Sequence, residues 1–387
     1  MKLKTYFSSI FFSFLLIFLL SSCIEDGYTS NPSDRPVFST DTLDMGTVIT
    51  TDVSVTQRFT VRNPHNKGLL VSDIRMEGEH ADCFRLNVDG FSGTTFSDVE
   101  IRANDSIYVL VSCTLPVNNA DAPEVINAKI VFTTNGGVDH VVVRATGQDV
   151  ERHSGLVVEE GHTLTLSGAK PYQIMDSLVV QPGATLIMST GARIMFHDGA
   201  YMRVYGTLVT QGNPQGMVEM RGDRTGDVIS GITFDLMAGQ WQGVEFMPGS
   251  TGKLSHAVVR NTVVGVIARE SKLELENSRL RNSQFRALTA EGSDVTAVGC
   301  ELAEAPYGTL YLQGGNSTFD HCTFPNYYLF SAIYEPAVTL VHLNADTAVE
   351  GYDAPYTRAV FTNSILYGLG SDITPGDLTD TDVYLYN

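Results

Sequence analysis

His256, Glu274, Glu276, Cys300, His321 and Cys322 are the residues whose types invite a chemical reading. Glu274 and Glu276 lie two apart, about 7 Å along a strand face. Paired carboxylates about 5–10 Å apart are what glycosidic cleavage uses. Histidines are metal ligands by type. Two thiols are disulfide partners by type wherever the compartment is oxidising. What each of these groups can do depends on which element carries it.

The elements repeat. Leu273-x-Leu275-x-Asn277-Ser278-x-Leu280 returns 22 positions later as Val295-x-Ala297-x-Gly299-Cys300-x-Leu302, and 22 later again as Ser317-x-Phe319-x-His321-Cys322-x-Phe324. The phrase also stands 21 positions earlier as Leu254-x-His256-Ala257-x-Val259, and later as Phe361-x-Asn363-Ser364-x-Leu366. A period of this length marks a solenoid. Within each unit apolar and polar residues alternate, which is strand periodicity. Parallel strands that recur once per coil make a β-helix.

That register reassigns most of the chemistry. His256 and His321 fall three coils apart, roughly 14 Å at the strand spacing, so they do not form a metal site. The equivalents of Glu274 and Glu276 are Thr296 and Val298 one coil on, and Thr318 and Asp320 two coils on, so the acids build no cluster. Lys253 should stack on Glu274 and Arg279 on Glu301, as exposed pairs worth about 0–1 kcal/mol each. The series His256, Asn277, Gly299, His321, Asn363 marks one corner, where stacked amides are the expected device for satisfying turn backbone. Ala257, Ser278, Cys300, Cys322 and Ser364 form a stack of small residues. Cys300 and Cys322 within it are about 4.8 Å apart by spacing, which a disulfide can span. Packing explains the stack equally well. Cys83 and Cys113 are a second candidate pair. No residue is assigned a catalytic or metal-binding role, and no cofactor is expected.

The repeat lapses between Phe324 and Ala359. Part of the gap, Ala337 to Leu343, reads as one more strand. The remainder should loop out, and insertions in solenoids map to a face that often binds. It holds Tyr327, Tyr328, Phe330, Tyr334, Tyr352 and Tyr356. Such rings present flat apolar area with a polar tip, suited to sugar rings or protein partners. The other reading is that they cover the helix edge. Asp372, Asp377, Asp380 and Asp382 lie in a Gly/Pro/Thr-rich tail and read as a solvated loop.

The chain has 387 residues, with 25 Lys and Arg against 44 Asp and Glu, a net charge of −19. The first 22 residues carry Lys2, Lys4 and no acid, leaving −21 for the rest. That charge argues against nucleic acid and anionic membrane surfaces as partners. Residues 36–149 show about seven short strands punctuated by turns such as Asn63-Pro64, Asp89-Gly90 and Asn135-Gly136-Gly137, the pattern of a β-sandwich. His65, His80 and His140 are isolated there and read as surface residues. Residues 152–387 are the solenoid, opened by Leu156-Val157-Val158-x-x-Gly161-x-Thr163-Leu164 and its copy 22 positions on at Leu178.

Several segments also resemble known families. Residues 1–22 read as a secretory signal, with Lys2 and Lys4 before an apolar run. Leu20-Ser21-Ser22-Cys23 resembles the bacterial lipobox, which implies cleavage before Cys23 and diacylation of its thiol. Ile24-Glu25-Asp26 resembles the surface-export signal of Bacteroidetes lipoproteins, which implies a lipid-anchored protein of the outer membrane, displayed on the cell surface. Residues 23–35 then serve as a flexible tether. Met45-Gly46-Thr47-Val48, Phe59-Thr60-Val61-Arg62-Asn63, Leu70-Val71-Ser72-Asp73-Ile74, Ile130-Val131-Phe132-Thr133-Thr134-Asn135 and Ala145-Thr146-Gly147 look like the immunoglobulin-like domain shared by hydin and many bacterial exported proteins. That domain is usually a spacer without chemistry. Residues 156–366 resemble right-handed parallel β-helix domains of exported lyases, glycoside hydrolases and adhesins. The expectation is an all-β chain, an immunoglobulin-like β-sandwich followed by a right-handed parallel β-helix. Its expected role is non-enzymatic binding of glycans or protein partners. A polysaccharide lyase or glycoside hydrolase, and a purely structural envelope component, are the alternatives.

Overall fold

The computed structural model describes residues 27–229, 231–341, 358–374 and 384–386. The signal segment, Cys23, Tyr352, Tyr356, Asp377, Asp380 and Asp382 lie outside the described residues. The chain is all-β among the described residues, with only two short 3-10 turns, Ala81–Cys83 and Phe234–Leu236. No helix in these residues is long and apolar enough to cross a membrane. Two compact units are present. One comprises residues 27–45, 52–115 and 125–146, and the other comprises the rest.

The first unit is built on two five-stranded sheets. One runs in the order Val37–Phe38, Gln57–Arg62, Ser106–Cys113, Phe84–Val88, Phe91–Gly93. The other runs Thr42–Ile49, Gly137–Gln148, Glu124–Thr134, Leu69–Glu77, Thr95–Ile101. The two pack through their alternate apolar residues. Phe132 meets Phe38 at 4.9 Å and Phe59 at 6.3 Å between ring centroids. Asn135 and Gly136 turn the long hairpin with φ of 50° and 77°, the positive pair that a tight hairpin needs. Ten strands stand where about seven were expected. The missed ones are edge strands, such as Thr95–Ile101, whose side chains are mostly exposed and so do not alternate. The described part of the segment expected as a tether, residues 27–35, makes contacts with the first unit. Thr29 N–H donates to Gly68 O at 2.9 Å, and Arg35 pairs with Asp139 at 2.5 Å.

The second unit is a parallel β-helix-like solenoid. A representative coil has three strands, Lys272–Glu276, Arg279–Ser283 and Leu288–Glu291. The first strands of successive coils form a nine-stranded parallel sheet from Thr163–Leu166 to Tyr384–Tyr386. The second and third strands form a sixteen-stranded sheet, joined through the long strand Tyr172–Val180. Buried apolar residues, mostly leucine, valine and alanine with phenylalanine, isoleucine and methionine among them, stack coil on coil in the core of the solenoid. Phe319 lies against Phe361 at 5.0 Å and 12° between planes. Phe196 lies flat on Trp241 at 4.0 Å and 5°.

The register expected from the 21- and 22-residue steps holds. Lys253 is the Cα partner of Glu274, with the charges 3.6 Å apart, and Arg279 is the partner of Glu301 at 3.7 Å. His256, Asn277, Gly299, His321 and Asn363 share the left-handed corner, with φ between 47° and 64°. Asparagine and glycine are chosen there because they tolerate that conformation. Stacked amides are not the main device at this corner. The residue that follows supplies the acceptor for buried backbone, as Ser278 does for Ala257.

Cys83, Cys113, Cys300 and Cys322 stand as free thiols in the structure. Cys300 Sγ donates to Val298 O at 3.3 Å and Cys322 Sγ to Asp320 O at 3.4 Å, the same job that serine does elsewhere in the stack. In the first unit Cys113 is directly opposite Phe84, while Cys83 ends the preceding 3-10 turn.

An insertion that the repeat did not signal spans residues 223–243. It holds the antiparallel pair Asp227–Ile229 and Ile232–Thr233 and the 3-10 turn Phe234–Leu236. Asn261 Nδ2 clamps it by donating to Asp235 O at 2.9 Å and Met237 O at 3.0 Å, and Asn282 Nδ2 donates to Asp235 O at 3.0 Å.

Candidate functional site

The connection between second and third strands lengthens coil by coil, from residues 284–287 to 304–309 to 327–337. The last is the described part of the lapse in the repeat. It ends at the strand Val338–Val341, which lies within the strand expected at 337–343. Each of these connections sets one aromatic ring beside the next. Tyr307 N–H donates to Phe285 O at 3.1 Å, and Tyr334 N–H donates to Pro306 O at 2.7 Å. These backbone bonds bring the ring of Phe285 to 4.9 Å from Tyr307, tilted 40°, and Tyr307 to 4.8 Å from Tyr334, stacked at 26°. Tyr307 is covered on both sides, whereas Tyr334 closes the row and is 59% exposed.

Arg286 fixes the base of this row. Its side chain is largely buried and donates to Tyr307 O at 3.1 Å and to Glu335 at 2.7 Å. The guanidinium also lies over Phe285 at 4.5 Å and over Tyr311 at 4.2 Å. Buried and shared between two rings and a carboxylate, it is a cation–π and ion-pair clamp rather than a free charge. Tyr311 stands on the third-strand face between its Cα partners Thr289 and Thr339. Burial pushes the Tyr311 phenol up; Arg286 opposes this, and Glu291 and Glu335 add to it. The phenol is therefore protonated, a hydrogen-bond donor, at ordinary pH.

The six rings singled out from the sequence separate into three groups. Tyr328 is buried, packs edge-on against Phe330 at 6.0 Å, and has its phenol raised by burial and by Glu304. It covers the solenoid. Tyr327, Phe330 and Tyr334 are exposed, with Tyr327 6.0 Å from Tyr367. Tyr352 and Tyr356 fall outside the described residues. Phe285, Arg286, Tyr307 and Tyr311 were missed. Phe285 and Tyr307 stand 22 residues apart, one coil, so the period itself carried the signal.

The other chemistry-bearing residues are not assembled. Glu274 is taken by Lys253, and Glu276 accepts from Ser255 Oγ at 3.2 Å. His256 Nδ1 lies 3.1 Å from Ser255 Oγ, and His321 Nδ1 lies 3.0 Å from Asp320. A groove of about 850 Å³ runs past this corner, and the Arg279–Glu301 pair lines it. His65 Nε2 contacts Arg35 O at 3.0 Å. Among the described residues no three metal-ligating side chains converge. A separate pair was not foreseen. His197 Nδ1 meets the buried carboxylate of Asp223 at 2.8 Å, and Gln173 Nε2 donates to the same oxygen at 2.9 Å.

No protein-family model matches the chain, and no characterised protein matches it by sequence. Among solved structures, a protein of unknown function from Porphyromonas gingivalis W83 is similar over 30% of this chain and 49% of that one, at 17% identity and a TM-score of 0.23. A family 123 glycoside hydrolase from Clostridium perfringens is similar over 29% of this chain and 25% of that one, at 9% identity and a TM-score of 0.21. The chain thus spans half or less of either protein, and likeness at this level carries no argument about fold or function.

Proposed function

We propose that this is a non-enzymatic, lipid-anchored cell-envelope protein that binds glycans through the ring cluster at Phe285, Tyr307 and Tyr334. In this reading Cys23 carries the lipid and holds the chain on the outer membrane of a Bacteroidetes-type cell, facing outward. The first unit is a hydin-like, immunoglobulin-like spacer, and the second is a right-handed parallel β-helix. The Leu20-Ser21-Ser22-Cys23 run and the acids after it support the anchor. The observation that carries the binding role is the exposed Tyr334 at the end of a row braced by Arg286. Its free face offers apolar area to the C–H face of a sugar, with hydroxyl groups at the rim. A glycan array probed with the full chain tests this. The expected result is retention of a defined set of glycans by the native chain and its loss in Tyr334→Ala. No retention of any glycan refutes the reading. Proteinase treatment of intact cells tests display, and full protection refutes it.

The alternative of a polysaccharide lyase or hydrolase rests on His197 and Asp223. A buried carboxylate that fixes an imidazole through Nδ1 leaves Nε2 to act as a base. Turnover of any polysaccharide by the native chain, abolished in His197→Ala, favours that reading.

A further inference from the structure

We propose that the glycan taken by this ring cluster is uncharged, and that acidic polysaccharides are excluded. The inference rests on the binding role proposed above. The three connections that build the cluster, residues 284–287, 304–309 and 327–337, contain one cation, Arg286, and two carboxylates, Glu304 and Glu335. Arg286 is committed to Glu335, to the carbonyl of Tyr307 and to two ring faces. The arginines on the flanking strands are committed as well. Arg281 bonds both carboxylate oxygens of Glu304 at 3.2 and 3.0 Å. Arg269 pairs with Glu245 and, at 3.1 Å, with Glu291.

A uronate or sulfate group binds by charge-assisted hydrogen bonds from a cation with donors to spare. Here it would have to displace a carboxylate from an arginine and leave that carboxylate beside it. Like charges placed together at an interface act against the wrong partner. The chain as a whole repeats the exclusion at long range, since its net charge of −19 repels polyanions. What the cluster offers is suited to a neutral sugar. The outer face of Tyr334 stacks, phenol groups donate and accept, and the carboxylates of Glu304 and Glu335 accept from hydroxyl groups.

The test compares the full chain with neutral and acidic oligosaccharides of equal length, such as cellohexaose, xylohexaose and laminarihexaose against hexagalacturonate, with heparin added. Titration calorimetry at 20 and 200 mM salt reads the affinity. We expect at least one neutral oligosaccharide to bind, with a Kd unchanged within about two-fold across the salt range. Tyr334→Ala should weaken it at least ten-fold, and Tyr334→Phe, which keeps the ring, should weaken it less. Binding of hexagalacturonate or heparin that fades with salt overturns the charge selection and leaves the glycan-binding role standing. Binding of none of the panel, with unchanged melting, removes the glycan-binding role itself and this inference with it.

Discussion

Ser278 Oγ accepts the backbone N–H of Ala257, one coil earlier, at 3.0 Å, and donates to Glu276 O at 2.9 Å. Ser364 repeats the arrangement, taking Cys322 N–H at 3.1 Å and donating to Thr362 O at 2.9 Å. At another corner Ser293 Oγ takes the N–H of Ser271 at 3.0 Å. Cys300 and Cys322 fill the rungs between: each thiol donates to the carbonyl two residues back and faces a backbone N–H one coil earlier, of Ser278 and of Cys300 respectively. Their thiols also touch, and the hydrogen bond to Cys322, together with burial, pushes the Cys300 thiol up. The stack is therefore a ladder of acceptors for buried amides. Serine at either cysteine should be tolerated within about 1 kcal/mol, whereas alanine, which leaves a buried N–H unpaired, should cost about 1–3 kcal/mol. Denaturant unfolding of Cys300→Ser and Cys300→Ala compares the two, and equal losses would sink the ladder.

How far the sequence foretold this depends on what the period constrains. The stack of Ser278, Cys300, Cys322 and Ser364 was legible because side-chain direction follows strand register. Its hydrogen-bonding role was not, because register says nothing about which atom meets an amide. The Lys253–Glu274 and Arg279–Glu301 pairs were legible for the same reason. The clamp on residues 223–243 was hidden, because it is made by side chains of Asn261 and Asn282 on later coils, reaching a segment with no repeat. Tyr328 and Tyr334 look alike in sequence. The backbone of Tyr334 is pinned to Pro306 with its ring on Tyr307, whereas Tyr328 is buried against Phe330.

Gly265 is the position where a single methyl group should do most harm to this arrangement. Its φ is +74°, and a Cβ there would lie 2.0 Å from Arg286 O and 2.6 Å from Ala287 O. Both the conformation and the backbone contact oppose alanine, and the displaced segment carries Phe285 and Arg286. Gly265→Ala should cost on the order of 3 kcal/mol or more. It should also weaken ligand binding. A variant with unchanged denaturant midpoint would contradict the close approach.

Trp241 is the single tryptophan of the chain, fully buried, and its Nε1–H donates to Arg260 O at 2.8 Å. Its fluorescence therefore reports on the solenoid alone. Trp241→Ala should cost about 3–5 kcal/mol, through the cavity left against Phe196. Trp241→Phe should lose chiefly the hydrogen bond, about 1 kcal/mol. Both are read from urea midpoints by circular dichroism. A red-shifted, exposed emission in the native chain would rule out the burial.

Asp320 gives a pH signature. Hydrogen bonds from the Thr362 hydroxyl, from His321 and from Asn363 hold its carboxyl down at about 2, against an ordinary value of 3.8. A carboxylate depressed in the folded state contributes stability above the unfolded pKa and loses it as pH falls through the folded one. The contribution should therefore be intact above pH 3.8 and fade towards pH 2. Carbon-detected NMR titration of Asp320 should give a midpoint near 2, and Thr362→Val should raise it. A midpoint at the ordinary aspartate value would show that these bonds do not form.

Tyr328 and Tyr334 should answer oppositely to the same substitution. Tyr328 is buried against Phe330, so Tyr328→Ala opens a cavity and should cost on the order of 3 kcal/mol. Its effect on ligand affinity should appear only as far as the fold is lost. Tyr334 has one face on Tyr307 and the other towards solvent, so Tyr334→Ala removes a contact surface while leaving the core filled. Its melting temperature should stay within a few degrees while affinity falls. Double substitution of Tyr307 and Tyr334 should lose less affinity than the two single losses added, because each ring positions the other. If Tyr328→Ala impaired binding without lowering stability, the face towards Phe330 would be the binding surface instead. If Tyr334→Ala lowered stability without changing affinity, the row would be cover for the lengthened coil and nothing more.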